Sequence, residues 1–173
     1  MKMTKTKIAG VLVEKRTIHR DLRGGFSELW EPASSEALSQ ANLSSNLEAF
    51  TLRGMHYQEA PHEQGKLVTC VSGQAYDVAL DLRPASPTYL QWHGELLSEN
   101  SGIVLHVPKG CAHGFLTLEP RTSVLYFTTA AYAPASGRTF RWDDPAASIL
   151  WPLPPETSPV LNPRDAEAPN FIA

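Results

Sequence analysis

Apolar and polar residues alternate with period two, or run as short β-branched blocks, through the middle of the chain, the signature of strands rather than helices. Lys66–Val71, Gln74–Leu82, Ile103–Val107 and Ser123–Thr128 are each rich in β-formers and bounded by Gly, Pro or Ser. In the second of these, Tyr76, Val78, Leu80 and Leu82 share one face while Asp77, Ala79 and Asp81 share the other, so the strand separates two environments. Ser72-Gly73 reads as a tight hairpin joining the first two strands. Thr51–Gln58 reads as a further strand interrupted by Gly54, and Lys66 opens a Gly-Lys-Leu-Val strand start.

Pro84, Pro87, Pro108, Pro134 and Pro145 punctuate the later half, and the Pro152, Pro154, Pro155 and Pro159 cluster predicts an irregular strap hugging the surface. Only Ser34–Ser39 and Asp165–Ala168 read as short helical turns. No internal repeat, low-complexity block or linker is visible. Many short strands at close spacing predict an all-β fold, a closed double-sheet sandwich of the jelly-roll or cupin type, in one domain over residues 1–173.

Composition narrows the partners. With 173 residues, 42% hydrophobic and 19% charged, the chain is long enough for a real core, and a net charge of -3 provides no polybasic field. Nucleic acid and anionic membrane are therefore not expected as partners, and any anion must be held by a few local cations. No apolar run has the length of a membrane span or signal segment, so a cytoplasmic location is expected. Cys70 and Cys111 each sit in an apolar stretch and read as buried free thiols.

The chemistry gathers around Thr51-Leu-Arg-Gly-Met-His-Tyr-Gln58. Arg53 supplies a guanidinium suited to phosphate, His56 an imidazole that accepts a proton near neutral pH, and Lys66 a cation for a developing oxyanion. Arg53 and His56 are three apart, which on a regular strand sends them to opposite faces. Both can enter one pocket only if Gly54 supports a bulge or the strand ends there. Asp165, on the late strap, is a carboxylate able to fold back and orient His56.

His113 lies in a Pro-x-Gly-x-x-His turn similar to the second motif of cupins, which raises the question of a metal. A cupin metal site wants a His-x-His pair and a Glu upstream, whereas His56 is followed by Tyr57-Gln58 and His62 has no partner two residues on, so no metal is expected. His19, His93 and His106 read as surface or structural. Arg23, Gly24, Gly25, Phe26 and Glu28 form a charged loop that could also serve as an arm, with an arginine for a phosphate and an aromatic face for a base.

Taken in order, Asp21 to Phe26, Gln40 to Asn46, Thr51 to Gln58, Gln64 to Val68, Asp77 to Arg83, Ser86 to Thr88, Leu97 to Asn100, Pro108 to Leu116, Trp142 to Pro145, Trp151-Pro152 and Arg164-Asp165 resemble the dTDP-4-dehydrorhamnose 3,5-epimerase family almost end to end. The resemblance implies His56 as the base beside a keto group, oriented by Asp165, Tyr126 as the proton donor on the opposite face, and Lys66 as the enolate stabiliser. It implies His113 in the same pocket, Arg53 and Arg23 on the diphosphate, Gln40, Asn42 and Glu28 near the nucleotide, and Phe26 and Tyr132 flanking the base.

It further implies a nucleotide-sugar substrate, no cofactor, and a homodimer whose arm carries Arg23 and Phe26 to the neighbouring site. The chain departs from the family in the Ala133–Arg138 stretch, which lacks the acidic residues often seen there. Inversion at C3, at C5 or at both is left open, as are a non-catalytic sugar-nucleotide binding domain and a metal-dependent cupin enzyme.

Overall fold

The computed structural model describes residues 2–30 and 37–171. In chain order the strands are β1 (Lys2–Lys5), β2 (Leu12–Lys15), β3 (His19–Asp21), β4 (Gly24–Phe26), β5 (Gln40–Ser45), β6 (Leu52–Gln58), β7 (Lys66–Ser72), β8 (Gln74–Asp81), β9 (Trp92–Ser98), β10 (Ile103–Val107), β11 (Cys111–Thr117), β12 (Ser123–Thr128) and β13 (Gly137–Thr139). A 3₁₀ turn spans Pro134–Ser136 and one helical turn, α1, spans Pro163–Ala166. The strands form a six-stranded sheet ordered β1-β2-β10-β7-β12-β5, a five-stranded sheet ordered β13-β6-β11-β8-β9, and a separate β3–β4 ribbon. This is an antiparallel jelly-roll sandwich of the cupin type.

The four strands predicted from β-former runs are all present, with ends shifted by at most one residue. Ser72-Gly73 is a correction. It does not close a hairpin, because β7 and β8 belong to different sheets and the turn carries the chain from one to the other. Gly73 takes φ +71°, and a Cβ there would lie 2.5 Å from Thr122 Oγ1, so the crossing requires glycine. The predicted turn at Ser34–Ser39 falls for residues 34–36 outside the described residues, and 37–39 carry no helix. The predicted turn at Asp165–Ala168 begins two residues earlier, since the Asn162 side chain accepts from Asp165 N and Pro163 occupies the first turn.

The five-stranded sheet is covered on both faces, which gives three layers. Toward the six-stranded sheet, Val68, Cys70, Ala75, Leu97, Phe115 and Val124 form one cluster, and Ile8, Val11, Ala79, Leu105, Val107 and Cys111 another. On its outer face, Met55, Val78, Leu80 and Ala112 pack against Phe140, Ala147 and Ile149 of the C-terminal segment. Pro152–Pro159 is the irregular, surface-hugging strap expected, none of it buried, and the third layer is supplied by the segment ahead of it, 140–149. The conformation of that segment is tied by the buried Asp144 carboxylate, which accepts from Ala146 N and Phe171 N.

This arrangement also explains β8. Both of its faces are buried, and Asp77 and Asp81 point toward the middle of the sandwich, each with no exposed surface. Asp81 is satisfied by Arg83, Ser86 and Thr88, and Asp77 by His113. Cys70 and Cys111 are free and buried, as expected, and burial raises both thiols, to about 11 and about 12.

Candidate active site

Two neighbouring cavities, of about 300 and about 620 Å³, open between the sheets and share Asn42, His56, Lys66 and Tyr126 in their walls. Because one cleft has these residues in common, His56 from the five-stranded sheet faces Tyr126 and Lys66 from the six-stranded one.

Gly54 makes this possible. The pairing of β6 with β11 runs His113 opposite His56 and Phe115 opposite Arg53, so β6 spends one extra residue and bulges between the two. Arg53 and His56 thereby enter the same cavity. Gly54 takes φ +135°, and a Cβ on it would lie 2.6 Å from Gly114 Cα, so two glycines let the strands touch at the bulge. The sequence condition on Gly54 is met in this way.

His56 Nε2 lies 2.7 Å from Asp165 Oδ1, with the imidazole side chain 36% exposed and the carboxylate fully buried. The second Asp165 oxygen accepts from Gly54 N at 3.1 Å. Burial pushes this carboxyl up, but the hydrogen bond and charge of His56, the Gly54 N–H and the Arg164 charge outweigh it and hold it below the usual carboxylate value. An ionised Asp165 fixes the ring proton on Nε2 and leaves Nδ1 as the basic atom.

Lys66 is buried at the strand start, with Nζ 3.4 Å from the His56 carbonyl oxygen. Burial pulls its ammonium down to about 8, against the opposing charge of Asp77. Burial raises the Tyr126 phenol, with Arg53 opposing, so the group keeps its proton at neutral pH. His113 donates from Nε2 to both oxygens of the Asp77 carboxylate, at 3.0 and 2.9 Å. Burial holds it below the ordinary imidazole value, although Asp77 opposes.

Of the residues singled out in the sequence, His56, Lys66, Tyr126, Arg53, Gln40, Asn42, His113 and Tyr132 line this cleft, and Asp165 stands behind His56. Arg23, Phe26 and Glu28 do not reach it within the chain. They lie on and beside the exposed β3–β4 ribbon, where Arg23 pairs with Asp21 at 2.6 Å and Phe26 is 67% exposed. Among the described residues no three His, Cys, Asp or Glu side chains converge as metal ligands.

Sequence reasoning passed over Asn46, Asp77, Arg138 and Arg164 as site residues. Asp77 carried a readable signal, since a carboxylate inside an aliphatic strand needs a partner and His113 is that partner. Arg164 stands beside Asp165 and lines the smaller cavity.

A jelly-roll sandwich holding a His–carboxylate pair, a facing phenol and a buried lysine defines a cupin-type enzyme equipped for proton transfer. A family model described as dTDP-4-dehydrorhamnose 3,5-epimerase matches residues 5–172. A protein of that name from Sinorhizobium fredii is 42% identical over 157 residues, covering 87% of this chain and 80% of its own. The crystal structure of an epimerase from Legionella pneumophila in complex with dTDP-4-keto-L-rhamnose superposes with a TM-score of 0.89, at 33% identity, over 99% of both chains. A 3′-monoepimerase from Streptomyces bikiniensis in complex with dTDP-quinovose gives 0.87 at 30% identity over 95% of this chain and 85% of its own. The chain belongs to the dTDP-4-dehydrorhamnose 3,5-epimerase family.

Proposed function

We propose that this protein is an isomerase that inverts C3, C5 or both of a dTDP-linked 4-keto-6-deoxyhexose, by proton abstraction and return through an enolate, in deoxysugar biosynthesis. Protons beside a ketone are weakly acidic, so the reaction needs a base on one face of the ring, an acid on the other and a cation at the oxygen that gains charge. His56, freed at Nδ1 by Asp165, is the base. Tyr126 returns a proton to the opposite face, and Lys66 stabilises the enolate oxygen. Arg53 takes the diphosphate, Gln40 and Asn42 lie along the nucleotide, and Tyr132 stacks on the base, while His113 packs the inner wall.

No cofactor or metal enters this chemistry. The chain acts as one domain in a cytoplasmic homodimer, with Arg23, Phe26 and Glu28 serving the neighbouring subunit's cleft. Their exposed ribbon and their distance from the chain's own cavity support this assembly. No helix among the described residues is long and apolar enough to cross a membrane.

The observation that carries the reading is the shared cleft with His56 on one sheet and Tyr126 and Lys66 on neighbouring strands of the other. Proton NMR of dTDP-4-keto-6-deoxyglucose incubated with the protein tests it. Inversion at C3 or C5 is expected. Binding of the nucleotide sugar without any inversion would favour a non-catalytic binding domain instead.

A further inference from the structure

Arg53 is a half-buried cation with no ion pair among the described residues. Its described hydrogen bond runs from Nε to the side-chain oxygen of Asn46, at 2.7 Å. Asn46 is 3% exposed and its amide cannot turn round. Its nitrogen is spent on two carbonyl oxygens, Ser44 at 3.2 Å and Thr122 at 3.0 Å, so its oxygen must face Arg53. The backbone N–H of Asn46 also donates to Thr122 O at 2.9 Å, and Thr122 is itself fully buried, which fixes the amide to the β11–β12 turn.

The geometry points to Asn46 as the residue that positions Arg53 for the diphosphate of the substrate while leaving its charge intact. A guanidinium held at Nε presents its two terminal amino groups along one edge, the fork that matches phosphate oxygens. Those groups belong to a residue lining the larger cavity with Lys66 and Tyr126. The holder must be neutral. A carboxylate at position 46 would grip Nε as firmly, but it would cancel the charge the phosphate needs and repel the phosphate itself. The chemistry thus selects an amide where an arginine is more commonly met by Asp or Glu.

This inference rests on the nucleotide-sugar reading, and the test separates the two. Calorimetric titration of dTDP into the wild-type protein and into Asn46→Ala, Asn46→Asp, Arg53→Ala and the Asn46→Ala/Arg53→Ala double variant measures the coupling. Asn46→Ala is expected to weaken dTDP about tenfold or more, the loss for a hydrogen bond to a charged group, and Asn46→Asp to weaken it further. In the Arg53→Ala background the Asn46→Ala change should have little additional effect, since Asn46 acts through Arg53.

With keto-sugar substrate, KM should rise in Asn46→Ala while kcat stays within about threefold, a split that general loosening of the fold would not give. Thermal melts establish that each variant folds. If loss of the two carbonyl contacts unfolds Asn46→Ala, Asn46→Ser, whose hydroxyl can still donate to Thr122 O but is too short to reach Arg53, carries the test, and wild-type affinity in it overturns the inference. Wild-type affinity in Asn46→Asp, or an Asn46→Ala loss that persists in full without Arg53, overturns the inference alone. Failure of the wild-type protein to bind dTDP overturns the functional reading and this inference with it.

Discussion

His56 Nε2 and Asp165 Oδ1 are 2.7 Å apart although 109 residues separate them in the chain. The contact depends on the C-terminal segment that covers the five-stranded sheet, whose end returns to β6 through α1 and places the carboxylate under the bulge. One oxygen orients the imidazole and the other holds the Gly54 N–H, so a single buried group sets both the base and the local backbone.

Asp165→Asn should therefore lower kcat about a hundredfold or more, because the ring loses the anion that fixes its tautomer. Steady-state kinetics measure this directly. The same group contributes to stability. Its folded carboxyl titrates below the usual 3.8, so its stabilisation is present above that pH and is lost as pH falls through the folded value. Urea midpoints at pH 7 and pH 3 should show wild type ahead of Asp165→Asn at the higher pH and the gap narrowing at the lower.

Lys66 predicts the opposite relation between stability and function. Burial lowers its ammonium from 10.5 to about 8, so the folded state carries the cost of a buried charge in full below about pH 8. That cost disappears as pH rises toward 10.5. Lys66→Met should abolish catalysis, by about a hundredfold or more as for an oxyanion donor. At pH 7 it should also raise the melting temperature, the stabilisation being at most about 3 kcal/mol. In the wild type, kcat/KM should fall as pH rises through about 8, since the enolate loses its cation. A pH–rate profile flat to pH 9.5 would contradict the role of Lys66.

Gly54→Ala tests the bulge. The new Cβ meets Gly114 Cα at 2.6 Å from a backbone at φ +135°, and β6 cannot relax without moving Arg53 away from His56. A loss of about 2 kcal/mol or more is expected, seen as a fall in melting temperature of about 4–8 °C. Both KM and kcat should suffer, because the variant displaces an anion anchor and a base together.

Much of the fold was legible because β7, β8, β10 and β12 are built from β-branched and aromatic residues that follow the core. β5 was not, and its polarity is inverted for a physical reason. Gln40, Asn42 and Ser44 are the more buried residues of the strand and line the cleft, while the apolar Leu43 is 62% exposed at its rim. A strand that walls a polar cavity hides its polar face, so hydrophobic alternation misreads it. Ser72-Gly73 misled because a two-residue turn looks the same whether the strands pair or part to different sheets. The surface course of the proline cluster was legible, but the segment before it gave no sign of the layer it forms, since Phe140, Ala147 and Ile149 are spaced by its irregular path and not by a regular period. At the site, His56, Arg53 and the requirement on Gly54 followed from local spacing, but the partnership with Asp165 rested on resemblance until the structure closed that distance.

The central claim, a base and an acid on opposite sides of one bound keto sugar, is tested most directly by incubating dTDP-4-keto-6-deoxyglucose in heavy water. Deuterium at C3 and C5 is followed by NMR for wild type, His56→Ala and Tyr126→Phe. Wild type should incorporate deuterium and invert configuration, and His56→Ala should do neither above about a hundredth of that rate. Tyr126→Phe should still exchange deuterium while losing most of the net inversion. Exchange in His56→Ala at more than about a tenth of the wild-type rate, or inversion undiminished in Tyr126→Phe, would contradict the account.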